Sequence, residues 1–236
     1  MKNWFETIIN GSVGEIYIYG EITDLKWWDE DVTPSGIKDE LDKLKDVSSI
    51  NVYVNSPGGN VFAGVAIYNE LKRVNKPVTA YIDGLAASIA SLIVLAADKV
   101  VMPVNAMLMI HNAHMVAAGD HHEFRALAEK LEKIQDTTIT AAYAVKTGMS
   151  KEKLSKMMNE ETWLDGAEAV KLGFADEVVE EQKIAACYSG ENVKFSNVEV
   201  PLNQYKAFPR AKFKEHKTTN NQTKQRHEHN IYMLNA

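Results

Sequence analysis

INVYVNSPGG occupies residues 50–59. INVYVN (50–55) reads as a strand, and SPGG breaks it. Pro57 and the two glycines let the backbone turn sharply and approach a ligand closely, and a helix is expected over 62–73. Outward from this unit the same alternation recurs. EIYIY (15–19) alternates and reads as a strand. Ile37, Leu41 and Leu44 fall at helical spacing after the start signal Thr33-Pro34-Ser35. PVTAYI (77–82) is a strand, 88–97 a helix, and KVVM (99–102) and LMIH (108–111) are short strands. Strand–helix alternation with apolar strands predicts an α/β fold whose strands are buried on both faces.

The next stretch changes period. Asp120 followed by Glu123 is a capping box. Phe124, Leu127, Leu131, Ile134, Thr138, Ala141 and Val145 then recur at spacings of three and four, and Gly148 supplies a stop. A helix over 121–147 is roughly 40 Å long at 1.5 Å per residue, longer than one compact domain needs. A short helix follows Ser150. Another starts at Asp165, capped in turn by Glu168, and ends at Gly173. From about residue 184 the composition shifts; VKFSNVEVP (193–201) reads as one more strand. From 212 on, Lys, Asn, Gln, Thr and His dominate, a composition that buries too little to order itself. The expected organisation is a catalytic domain over 1–183 and a C-terminal extension over 184–236, flexible from about 212.

Net charge is −6, which argues against nucleic-acid binding through a basic surface. The single cysteine, Cys187, makes no intrachain disulfide, as expected of a cytoplasmic protein. MKNWFETIIN at the start has no basic region followed by an apolar stretch, so no signal peptide is expected. The longest apolar run, 85–97, is too short and too rich in Ala and Ser to span a bilayer.

Four motifs carry chemistry. In NSPGG (55–59), free N–H groups in the glycine turn suit an anion or an oxyanion; the plainer reading is a strand-to-helix turn. In DGLAASIAS (83–91), Ser88 stands where the chain enters an apolar helix, and the N–H of Ile89 lies at that helix's N-terminus. Ser88 as a simple N-cap is the competing reading, and Ser91, one turn on, reads as a packing residue. In MLMIHNAH (107–114), His111 ends an apolar strand. A serine at a helix entry, a glycine turn and a strand-end histidine are the parts acyl transfer requires. His114, His121 and His122 read as a solvated turn, and no metal is expected. In NEETWLDGAEAVKLGFADEV (159–178), a carboxylate is available to orient the histidine. Asp165 already has work as a helix cap, which leaves Glu160 and Glu161.

Together and in this order, NSPGG, DGLAASIAS, MIHN and ETWLDGAEAVKLGFADEV resemble the motifs of the Clp protease proteolytic subunit (ClpP) family, over roughly residues 14–180. IYIYGEI, WWDEDVTP, DGLAASIAS and EETWL are similar to the phage and prophage branch, the head maturation proteases. The resemblance implies a ClpP/crotonase-like α/β spiral of βαβ units with a long projecting handle helix, here 121–147. It implies Ser88 as nucleophile, His111 as base, Glu161 as the acid and the backbone N–H groups of Gly59 and Ile89 as oxyanion donors. Two residues depart from the family pattern: Glu161 stands where Asp is usual, and Ala113 where Pro is frequent.

The expected function is a serine endopeptidase that needs no cofactor and cleaves phage capsid or scaffold protein, as a ring-like homo-oligomer. A cellular-type Clp subunit fed by an AAA+ unfoldase is the main alternative. The segment before the first strand is short for docking an ATPase, and no GxxxxGK[ST] is present. A crotonase-type hydratase would not need the Ser–His pair. An assembly protein that kept the fold and lost activity is the non-enzyme alternative.

Overall fold

The computed structural model describes residues 7–26, 28, 31–180, 186–189, 191–195 and 198–210; the tail expected to be flexible from 212 lies outside them. The strands of the main sheet are β1 (Ile8–Asn10), β2 (Val13–Ile22), β3 (Ser49–Gly59), β4 (Val78–Ala87), β5 (Lys99–Pro103), β6 (Met107–Ile110), β7 (Thr162–Asp165) and β8 (Glu177–Val179). The path β1-β2-β3-β4-β5-β8 is parallel from β2 onward, and β1 folds back antiparallel on β2. β4 forks. Thr79–Tyr81 pair with Lys99–Val101 of β5, whereas Leu85–Ala87 pair with Met107–Met109 of β6. β6 is held on its other edge by antiparallel β7. The fork opens a cleft at the C-terminal ends of β3, β4 and β6, where open α/β sheets place their ligands.

The helices α1 (Pro34–Lys43), α2 (Val61–Lys72) and α3 (Ile89–Val94) follow β2, β3 and β4. Thr33 caps α1 by accepting from Gly36 N at 3.1 Å, as its Thr-Pro-Ser signal predicts. The main core gathers Ile16, Ile18, Ile22, Val52, Val54 and Ile82 from the strands with Ile37, Ile67 and Leu92 from the helices.

Burial departs from the expectation of strands covered on both faces. In β2 it alternates residue by residue between buried and half-buried. Helices cover one face only. On the other, Tyr17, Tyr53 and Tyr81 meet in register and stack with ring centroids 4.9 and 5.1 Å apart. Val100–Pro103 of β5 are buried in succession, and so are the last four residues of β4 and all of β6. The C-terminal region encloses the end of β4 and β6 on the second face. β9 (Ala186–Ser189), β10 (Asn192–Phe195) and β11 (Val198–Pro201) form a three-stranded antiparallel sheet. Residues 193–201 are thus a hairpin, with Phe195 opposite Val198, and not one strand. Val193 and Leu202 are buried against Leu85, Ala87, Met107, Met109 and Trp163, with Val200, Tyr205 and Phe208 alongside.

The long helix runs from α4 (His121–Ile134) to α5 (Thr140–Thr147). The Asp120–Glu123 capping box opens it and Gly148, at φ 70°, ends it. Between the halves, Gln135–Ile139 form a π-helical turn, with Thr140 N donating to Gln135 O, five residues back. That turn takes up one extra residue. It moves the apolar stripe from the expected Thr138, Ala141 and Val145 to Ile139 and Tyr143, which are buried, while Val145 is 87% exposed. α4 buries no residue at all. α6 (Lys151–Asn159) and α7 (Gly166–Lys171) complete the fold. The Asp165–Glu168 capping box is formed at α7, with both bonds at 3.0 Å.

Candidate active site

Ser88 sits at the junction of β4 and α3 with φ 54° and ψ −129°. An L-residue is strained there. Its side chain caps nothing, which removes the N-cap reading. Ser88 N donates to Met109 O at 2.9 Å, and the hydroxyl faces His111, with Oγ 2.7 Å from Nε2. Ser91 proves to be more than packing. Buried, it donates to the Ser88 carbonyl at 2.5 Å. Its single proton being used, it accepts from Tyr143 OH at 2.7 Å. The Ser88 peptide is thereby tied to the long helix.

His111 directly follows β6. A neutral ring that accepts the Ser88 proton at Nε2 carries its own proton on Nδ1. Burial drives the imidazole pKa down to about 4; the neighbouring His114 lowers it further, Glu161 opposes the shift and Lys206 adds slightly to it. The chain beyond the histidine is pinned to the helices: Asn112 Nδ2 donates to Asn159 Oδ1 at 2.7 Å, and Ala113 N to Gln135 Oε1 at 3.2 Å.

The glycine turn is braced from within. Ser56 Oγ donates to Gly20 O at 2.6 Å and accepts from Gly58 N at 3.1 Å. Asn55 Oδ1 accepts from Leu85 N at 3.1 Å. The Gly58 N–H is thereby engaged; Gly59 ends β3, and Ile89 opens α3 directly after Ser88. Both glycines have positive φ, 94° and 143°. A Cβ on Gly58 would lie 2.7 Å from the Ser88 Cβ, and one on Gly59 would lie 2.1 Å from the Ile22 carbonyl oxygen. The residue pressed against Ser88 is therefore Gly58, which the sequence reading placed only in the turn.

The three candidate acids separate. Glu160 is exposed beside Lys156, and Asp165 is spent on its cap. Glu161 is 4% exposed and has φ 52°; it and Ser88 are the two non-glycine residues with positive φ among the described residues. Its carboxylate accepts from Trp163 Nε1 at 3.0 Å, Lys206 N at 2.7 Å and Ala207 N at 2.9 Å. Among the described residues no hydrogen bond joins it to His111. The two backbone donors come from the C-terminal segment, which the sequence reading left out of the site. Their signal was faint: Tyr205 and Phe208, aromatics three apart in a polar stretch. Both pack edge-on against Trp163, at 5.3 and 5.2 Å. His111 and His114 touch edge-to-face at 5.1 Å. Among the described residues no group of three or more His, Cys, Asp or Glu side chains could hold a metal ion, and no helix is long and apolar enough to cross a membrane.

A family profile described as Clp protease matches residues 39–182, a span that contains Ser88, His111 and Glu161. The chain belongs to the Clp protease family. A relative, the ATP-dependent Clp protease proteolytic subunit of Deinococcus radiodurans, is 31% identical over 146 residues, 61% of this chain and 71% of that one. Among solved structures, a ClpP1 point mutant from Listeria monocytogenes superimposes with a TM-score of 0.60 at 29% identity, over 71% of this chain and 92% of its own. The fold is thus ClpP-like, as the motifs imply.

Proposed function

We propose that this chain is a serine endopeptidase working by acyl transfer, with Ser88 as nucleophile, His111 as base, Glu161 as the acid and the N–H groups of Gly59 and Ile89 as oxyanion donors. The observation that carries it is the 2.7 Å contact between Ser88 Oγ and His111 Nε2 at a strained serine. Ser88 Oγ bonds to the peptide carbonyl carbon as its proton passes to His111. The carbonyl oxygen takes the negative charge and faces the two N–H groups. Collapse expels the amine, which takes the proton from His111. Water then attacks the acyl group, gives a proton to His111, and Ser88 regains it as its bond to carbon breaks. A fluorophosphonate probe should label Ser88 alone, and Ser88→Ala should abolish labelling and peptide hydrolysis with an unchanged melting temperature. Undiminished hydrolysis by Ser88→Ala would sink this reading.

The proposed substrate is a capsid or scaffold protein of a phage, in a bacterial cytoplasm; its support is the similarity of residues 16–22, 27–34, 83–91 and 160–164 to the phage branch. Co-expression with such proteins, scored for Ser88-dependent cleavage, tests it. The proposed working form is a ring-like homo-oligomer. Its support is α4, whose Phe124 is 47% exposed and whose apolar stripe finds little cover in its own domain.

A further inference from the structure

Glu161 lies near His111 yet is bonded elsewhere. Three N–H groups converge on its two oxygens, and two of them belong to the consecutive residues Lys206 and Ala207. Those residues lie between Tyr205 and Phe208, the aromatics that clamp Trp163. Trp163 in turn is two residues from Glu161 and donates to the same carboxylate. The apolar cover and the carboxylate contacts therefore form one unit. Lifting Tyr205 and Phe208 from Trp163 withdraws both backbone donors together.

We propose that residues 202–208 are an inhibitory latch, which holds the Glu161 carboxylate away from His111 Nδ1 and whose release lets the two pair and raises catalysis. In the latched form the Ser88–His111 pair is in place, but the carboxylate that should fix the imidazole and stabilise the imidazolium is engaged. A carboxylate held by charge-assisted bonds to two backbone amides and an indole does not turn to another donor while they stay. On release the Trp163 indole still holds Oε1, while Oε2, which Lys206 N held, comes free to pair with the histidine. The charged and titratable groups that act on His111 are His114, Glu161 and Lys206. Release brings Glu161 closer and takes Lys206 away, and both changes favour the imidazolium. The proposal rests on the serine-peptidase reading of the same site.

The test uses the full chain and a fluorogenic peptide. Lys206→Pro and Ala207→Pro each delete one N–H donor, Ala207→Gly keeps it, and Tyr205→Ala with Phe208→Ala loosens the clamp without touching the donors. Loss of the acid from such a triad costs up to about 10⁴-fold, so the two proline variants and the double alanine variant should gain at least about tenfold in kcat, with Ala207→Gly like the parent. NMR titration of His111 should show its pKa rising from about 4 in the released variants, and adding Glu161→Gln to those variants should cancel the part of the rise that the carboxylate supplies, which mere loosening of the tail would leave in place. Unchanged or reduced kcat in the variants that remain folded would overturn the latch, a fall meaning that the segment supports the acid. Fluorophosphonate labelling separates the two failures. Labelled Ser88 with no gain in rate rejects the latch alone, whereas no labelling in any form removes the peptidase reading and the latch with it.

Discussion

Residue 88 divides its labour between backbone and side chain. The N–H bonds to β6, the carbonyl is held by Ser91, and the hydroxyl alone is left for chemistry. Gly58 is what makes room for it. Gly58→Ala places a methyl 2.7 Å from both the Ser88 Cβ and the Ala87 carbonyl oxygen and should cut kcat sharply by displacing the serine, with a smaller loss of melting temperature. Gly59→Ala meets the backbone of β2 at 2.1 Å and should instead lower the melting temperature sharply. Circular dichroism alongside peptide assays distinguishes the two. The low pKa of His111, about 4 against an ordinary 6.5, fixes the direction of the pH response. The base is free above about pH 4, so kcat/KM should hold through neutrality and fall only as pH drops through that value. The unfolded chain binds this proton from about pH 6.5 downward. Stability should therefore decline between pH 6.5 and about 4 and gain nothing further from this group below it. Substituting His111 by Gln should flatten that part of a stability-versus-pH curve.

Among the elements, the long helix shows what a sequence reading can and cannot see. Its caps, Asp120–Glu123 and Gly148, are local patterns and were legible. The π turn was not, because a one-residue insertion alters no residue type. It only rephases the helical turns beyond it, and the stripe projected through it landed on exposed Val145. An insertion of this kind should be removable. Deleting Thr137, an exposed residue whose hydroxyl bonds only its own helix at Lys133 O, would turn the π turn into α-helix and leave Ile134, Ile139 and Tyr143 on one stripe. The melting temperature should stay or rise by a few degrees, an outcome calorimetry can check. Inserting an alanine after Thr137 should rotate Tyr143 away from Ser91 and reduce both stability and activity. β7 escaped the sequence for another reason. It is short, and its partner β6 lies far back along the chain, so no local period marks it. The contact of Glu161 with Lys206 spans 45 residues and was invisible on the same ground. Ser88, His111 and the glycine turn were legible because each stands at a strand end that local pattern defines.

At the scale of the whole molecule, the sheet is covered by helices on one face and by tyrosines and the C-terminal region on the other, while α4 reaches out with its stripe half covered. If that stripe builds the oligomer, Leu131→Glu with Ile134→Lys should lower mass and activity together. Light scattering across size-exclusion fractions, each assayed, reads both. A fully active monomer would remove the ring from the proposal.

The fork in β4 sets an order of birth. Ser88 and His111 are both synthesised once the first 111 residues are made, but His111 follows a four-residue strand wedged between β4 and β7. Until β7 is synthesised, that strand has one edge bare and the base has no fixed place. Translation of the roughly 50 intervening residues takes several seconds at about 5–20 residues per second. Through that interval the nascent chain carries Ser88 without a placed His111. On the proposed mechanism, the chain therefore has no working Ser–His pair while it is still tethered to the machinery that makes it.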